Sequence, residues 1–192
     1  MVGLHINMTQ RNNIWIFAYG SLMWNPGFEF EQSCKAEIRG LSRALCVTSI
    51  HHRGTPQRPG LVLGLDSGGK CTGIAYEVSA ANADETIKYL RSREQVTRVY
   101  REITRTITLL DGNKRQVRSL IYAIDRAHVQ YSGRLPFETQ VRMISNGVGK
   151  SGNNIDYVVS TAEHLNAVGI IDRDMQRIAH RLGKRLRKRN RI

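Results

Sequence analysis

Ile14 to Ala18 is a continuous apolar run with β-branched and aromatic members, stopped by Tyr19-Gly20, and it reads as a buried strand. The stretches AEIRGLSRALCVTSI and GLVLGLD predict further strands. Asp66 to Gly69, DSGG, is turn chemistry leading into CTGIAYEV, so a hairpin is expected between GLVLGLD and CTGIAYEV. A second hairpin is expected where Asp111-Gly112-Asn113 joins REITRTITLL to QVRSLIYAI. Between them lies one helix: Asn82 is placed to cap it, Glu85 completes a capping-box-like start, and Ile87 and Leu90 form its apolar stripe.

From Pro136 onward the pattern turns helical, in three segments separated by glycine-containing breaks: PFETQVRMISNG, NNIDYVVSTAEHLNAVG and DRDMQRIAHRLGKRL. Strands with one inserted helix, followed by helices, predict an α+β fold in which five or six strands curl into a small mixed β-barrel. With 192 residues, 41% of them hydrophobic, the chain is long enough for one domain with a sizeable core. The expected organisation is a single domain over 1–192, with a polar leader to about residue 13 and a basic C-terminal tail over 181–192.

Composition changes this picture only at the margins. No apolar stretch reaches the roughly 18 residues of a membrane span, and MVGLHINMTQRNN lacks the apolar segment of a signal peptide, so a cytoplasmic protein without a membrane partner is expected. Cys34, Cys46 and Cys71 are odd in number and widely spaced, which signals neither a disulfide framework nor a zinc site. The formal net charge of +13 invites a nucleic-acid reading. Much of the excess, however, lies in RLGKRLRKRNRI, which reads as a solvated helix end or frayed tail rather than a reader of bases. Nucleic acid is therefore not expected as a partner, and the oligomeric state is not legible.

Two constellations carry candidate chemistry. Ile87, Leu90 and Glu94 are spaced by three and four, which places the Glu94 carboxylate on the apolar face of the helix. Burial there raises a carboxyl pKa and makes the group a proton shuttle near neutral pH; the alternative is a structural ion pair with Arg91, Arg93 or Arg98. The turn Tyr19-Gly20-Ser21-Leu22 is either a plain strand ending or an anion-binding nest. In the nest, Gly20 is expected at positive φ, with converging N–H groups joined by the Ser21 hydroxyl. NGVGKS lacks the first glycine of a phosphate loop and a preceding strand. His51 and His52, read as facing opposite sides of a strand, have no partners at metal-ligand spacing. No cofactor or metal is expected.

Taken in order, FAYGSLMWNP, HHRGTPQRPGLVLGLDSGGKCTGIAYEV, YLRSREQVTRVYRE, YSGRLPFE and SGNNIDYV resemble the ChaC family of glutathione-specific γ-glutamylcyclotransferases, over about Ile14 to Ile178. The resemblance implies a compact α+β fold around a small barrel and cofactor-free conversion of glutathione to 5-oxoproline and cysteinylglycine. It implies Glu94 as the catalytic carboxylate. Tyr19, Gly20, Ser21 and Leu22, led in by Phe17 and Ala18, would form the γ-glutamyl-binding loop, and Tyr100, Asn154 and Tyr157 would be further substrate-binding positions. Other γ-glutamyl amines or dipeptides remain the alternative substrates, and a noncatalytic basic binding module the alternative class.

Overall fold

Five strands close into a barrel in the order β1-β3-β2-β4-β5: β1 (Ile14–Ala18), β2 (Gln32–Ser49), β3 (Gly60–Val78), β4 (Tyr100–Leu109) and β5 (Gln116–Ile124). The computed structural model describes residues 12–189, with side chains through residue 183. The leader up to residue 11 and residues 190–192 of the basic segment lie outside the described residues. β1 pairs antiparallel with β3 and parallel with β5, and that parallel pairing closes the ring. The inserted helix is α1 (Ala83–Glu94). After β5 come α2 (Phe137–Asn146), the two-residue strands β6 (Val148–Gly149) and β7 (Gly152–Asn153), α3 (Asn154–Ala167) and α4 (Arg173–Arg189). α2, α3 and α4 pack on one another, and α2 and α3 lie against β3. This is the expected α+β arrangement.

One expected hairpin is absent. DSGG lies inside β3, a single strand of 19 residues that runs antiparallel to the 18-residue β2. Straight strands of that length would extend about 60 Å, too far for a small barrel, so both must bend. They bend together. The register slips between Arg39 and Leu41, where Gly40 (φ +80°) opposes Gly68 (φ +96°) and Gly69 (φ +70°). Glycine suits a bulge of this kind as well as it suits a turn, because both need left-handed backbone. Asp66 is no turn residue. Its side chain is almost fully buried and receives Arg126 at 2.7 Å and the Tyr131 hydroxyl at 3.0 Å. The second hairpin, β4 to β5 around Asp111-Gly112-Asn113, forms as expected.

Helix α1 buries Leu90 completely and Ile87 in part, as its stripe requires. Asn82 does not cap it with its side chain. The residue is already in helical conformation (φ −95°, ψ −4°), whereas a capping side chain needs extended backbone; its carbonyl accepts from the Thr86 N–H instead. In α4, Leu182 is fully buried in the core, so the first turn of the basic segment belongs to the body of the domain. Among the described residues, no helix is long and apolar enough to cross a membrane.

Candidate active site

β1 delivers the Tyr19-Gly20-Ser21-Leu22 turn to one end of the barrel. Phe17 and Ala18 are buried in the strand, and Ser21–Met23 forms a single 3-10 turn closed by Met23 N–H to Gly20 carbonyl at 2.9 Å. The backbone N–H groups of Ser21 and Leu22 open that turn and have no preceding helical carbonyl to bond. Gly20 has φ −131° and ψ −136°, so the expected positive φ is not found. The N–H groups belong to a helical turn that follows Gly20, not to a left-handed kink.

Three side chains pin the turn in place. The Tyr19 hydroxyl donates to the Tyr122 carbonyl at 2.9 Å, and the Tyr76 hydroxyl donates to the Met23 carbonyl at 2.8 Å. Arg43, whose side chain is 4% exposed, donates to the Tyr19 carbonyl at 2.6 Å and to the Thr72 carbonyl at 2.8 Å, and pairs with Asp172 at 3.0 Å. Leu22 and Met23 then return to the core, and Trp24 stacks on His164 with ring centroids 4.3 Å apart.

Glu94 ends α1 beside this turn. Its carboxylate is only one-fifth exposed and pairs with Arg93 at 3.2 Å, while Arg91 is taken by Glu102. Burial pushes the Glu94 carboxyl above its usual range, and the Arg93 guanidinium pulls against that rise. Arg93 also donates to the Ser21 hydroxyl at 3.2 Å and to the Asn25 carbonyl at 2.7 Å. One guanidinium thus joins the carboxylate to the turn.

Opposite Glu94 stand Tyr100, the first residue of β4, and Tyr157, in the first turn of α3. Both are held by one residue of β3: the Tyr100 hydroxyl donates to the Leu63 carbonyl at 2.6 Å, and the Leu63 N–H donates to the Tyr157 hydroxyl at 3.3 Å. Burial pushes the Tyr157 phenol up to about 12 and raises Tyr100 and Tyr19 well above the usual tyrosine range, so all three are neutral at physiological pH. Asn154 works two residues earlier on the same strand edge. It is fully buried, and its side-chain amide exchanges both hydrogen bonds with the Leu61 backbone, at 2.6 and 2.9 Å. It lines neither cavity described next, and it seats α3 so that Tyr157 faces inward.

Two adjoining cavities meet at Glu94. The inner one, about 50 Å³, is walled by Phe17, the Tyr19–Leu22 turn, Leu63 and Tyr122. The outer cleft, about 630 Å³, opens past Trp24, His51, His52, Arg53 and His164. Ser21, Glu94, Tyr100 and Tyr157 line both, so the carboxylate stands at the neck between them. His51 and His52 are in a bend after β2, not in a strand, and their rings touch edge to face at 4.9 Å. Among the described residues, no group of three or more His, Cys, Asp or Glu side chains is arranged to hold a metal ion. Sequence reasoning missed Arg43, Arg53 and Arg93 as site residues. Arg93 alone had a signal, since it directly precedes the carboxylate.

The chain is similar in sequence and in fold to known proteins. A family model described as ChaC-like protein matches residues 14–185. A glutathione-specific γ-glutamylcyclotransferase of Escherichia coli K12 is 34% identical over 159 residues, covering 83% of this chain and 68% of that protein. A zebrafish glutathione-specific γ-glutamylcyclotransferase 1 is 33% identical, covering 81% and 80%. Among solved structures, a yeast γ-glutamyl cyclotransferase specific to glutathione superposes with a TM-score of 0.80 at 21% identity, covering 90% of this chain and 96% of that one, a likeness of fold.

Proposed function

The chain belongs to the ChaC-like family, and from that membership we propose that it converts glutathione to 5-oxoproline and cysteinylglycine. The observation that carries the reading is the place of Glu94: a largely buried carboxylate at the neck between a small cavity and an open cleft, tied by Arg93 to a turn that presents N–H groups. The inner cavity takes the γ-glutamyl group, and the outer cleft takes cysteinylglycine.

The nucleophile is the substrate's own α-amine, which at neutral pH is an ammonium and cannot attack. Glu94 removes a proton from it. The freed nitrogen attacks the γ-carbonyl carbon, a five-membered ring closes, and the developing oxyanion is met by the N–H groups of Ser21 and Leu22. The bond from the γ-carbon to the cysteine nitrogen then breaks, and protonated Glu94 gives its proton to that nitrogen. Two protons leave the attacking nitrogen and two reach the departing one, so the carboxylate ends as it began. The neutral phenols of Tyr100 and Tyr157 border the reacting group and, held by Leu63, fix its position without adding charge.

The reading is tested by incubating pure protein with glutathione, γ-glutamyl-alanine and γ-glutamyl amines and following 5-oxoproline by mass spectrometry. Release from glutathione foremost is expected, and no release from any of them would refute it.

Arg93 makes a finer test. Its charge opposes the upward push of burial on Glu94, so Arg93→Gln should raise the carboxyl pKa further. A base must be deprotonated to act; the acidic limb of kcat/KM should therefore move to higher pH. An unshifted limb would show that Arg93 does not tune Glu94.

We assign the protein to the cytoplasm, a reading supported by the glutathione chemistry and by three free cysteines. We also read the chain as one catalytic domain whose basic end is dispensable. The family match stops at residue 185. Deletion of 186–192 should leave glutathione turnover within about two-fold of the full chain. A folded but inactive truncation would contradict that division.

A further inference from the structure

We propose that Arg53 receives the carboxylate at the far end of the substrate and thereby restricts the enzyme to γ-glutamyl peptides that end in a free carboxylate. The inference rests on the cyclotransferase reading and says which substrates that site selects.

Arg53 differs from the other arginines around the site in what it contacts. Arg43 pairs with Asp172, Arg93 with Glu94 and Arg126 with Asp66. Arg53 has no acidic partner among the described residues. Its half-buried guanidinium donates to the Asn153 carbonyl at 3.2 Å and lies over the Tyr157 ring, 5.4 Å from the centroid. A guanidinium carries five N–H donors in a fork suited to a carboxylate, and on Arg53, which lines the cleft, the Asn153 carbonyl takes up one of them. Asp156, an acidic residue that also lines the cleft, accepts from the Asn153 side chain.

The segment that carries Arg53 is built to hold still. Lys150 and Ser151 N–H groups donate to the His51 and His52 carbonyls at 2.9 Å each, and the Arg53 N–H donates to the Ser49 hydroxyl at 3.0 Å. Backbones approach so closely that a Cβ on Gly60 would lie 2.2 Å from the Arg53 carbonyl, and one on Gly149 would lie 2.5 Å from the His51 carbonyl. A rigid donor is what recognition of one terminal group requires.

Position fits as well. Tyr157 walls both cavities, with Arg53 against its ring on the side of the outer cleft. Beyond the bond that breaks, glutathione has two residues, at most about 7 Å of extended chain. Arg53 lies against Tyr157, whose side chain reaches the neck, on the wall of the cleft into which those two residues would extend. His52 flanks it, bonded to the Ser151 hydroxyl at 3.0 Å.

The test compares kcat/KM for glutathione with kcat/KM for the same tripeptide bearing a primary amide in place of the glycine carboxylate. The full-length protein should prefer glutathione by about 10- to 100-fold, the range of a charge-assisted pair. In Arg53→Gln that preference should collapse to about two-fold or less, because the loss falls on the charged substrate alone. Arg53→Lys keeps the charge without the fork and should retain an intermediate preference; it also decides the matter if the glutamine variant does not fold. An undiminished preference in these variants, or none in the wild-type protein, would overturn the inference while leaving the cyclotransferase reading intact. Absence of 5-oxoproline from both substrates would overturn both.

Discussion

Replacing Glu94 with glutamine should lower kcat on glutathione by about two to four orders of magnitude, the usual contribution of a positioned acid or base, with KM nearly unchanged. Glutamine keeps the shape of the side chain and can still accept from Arg93, so the turn stays in place and the loss is confined to proton transfer. Unfolding by urea should show wild-type or higher stability, since a charge held in a desolvated position is removed. If turnover falls by less than about three-fold, under 1 kcal/mol of barrel-end chemistry would depend on Glu94, and another residue would have to be the base.

A second large effect is expected at a residue that meets no substrate. Arg43→Met removes a buried guanidinium, the charged partner of Asp172 and a donor to the carbonyls of Tyr19 and Thr72. Breaking one side of such a pair should destabilise the fold by about 3 kcal/mol, read as a lower urea midpoint at constant slope. Activity should fall as well in the fraction that remains folded, because the Tyr19 carbonyl is one of the anchors of the turn. Stability within about 0.5 kcal/mol of wild type, the range of ordinary surface substitutions, would show that the Arg43 network contributes little.

These two residues mark what the chain reveals when read alone and what it conceals. Glu94 was legible because its place is set locally: helical spacing from Ile87 and Leu90 is enough to turn it inward. The helices α2, α3 and α4 were legible for the same reason, as was the β4–β5 hairpin, whose turn chemistry joins strands adjacent in sequence. Arg43, by contrast, finds its partners 24, 29 and 129 residues away. Two of them are backbone carbonyls, which carry no side-chain signature. Asn154 is similar: the family resemblance brought it into view, but both its hydrogen bonds go to the Leu61 backbone rather than into a cavity.

The two errors over glycine have a common cause. Local composition says that Gly68 and Gly69 need left-handed backbone, and they have it. Whether such backbone makes a turn or a bulge depends on β2 running alongside, 18 residues long and bent at Gly40. At Gly20 the reverse holds. The glycine precedes a short helical turn, yet its φ is negative, and the geometry of the N–H groups comes from the 3-10 turn that follows.

The central claim, that the γ-glutamyl group enters the inner cavity with its α-amine at Glu94, is tested most directly by the crystal structure of Glu94→Gln with glutathione bound. The account predicts the α-nitrogen within hydrogen-bond distance of the residue 94 side chain, at about 3 Å, the γ-carbonyl oxygen facing the N–H groups of Ser21 and Leu22, and cysteinylglycine in the outer cleft. A γ-glutamyl group lying in the outer cleft, with its amine out of reach of residue 94, would contradict it.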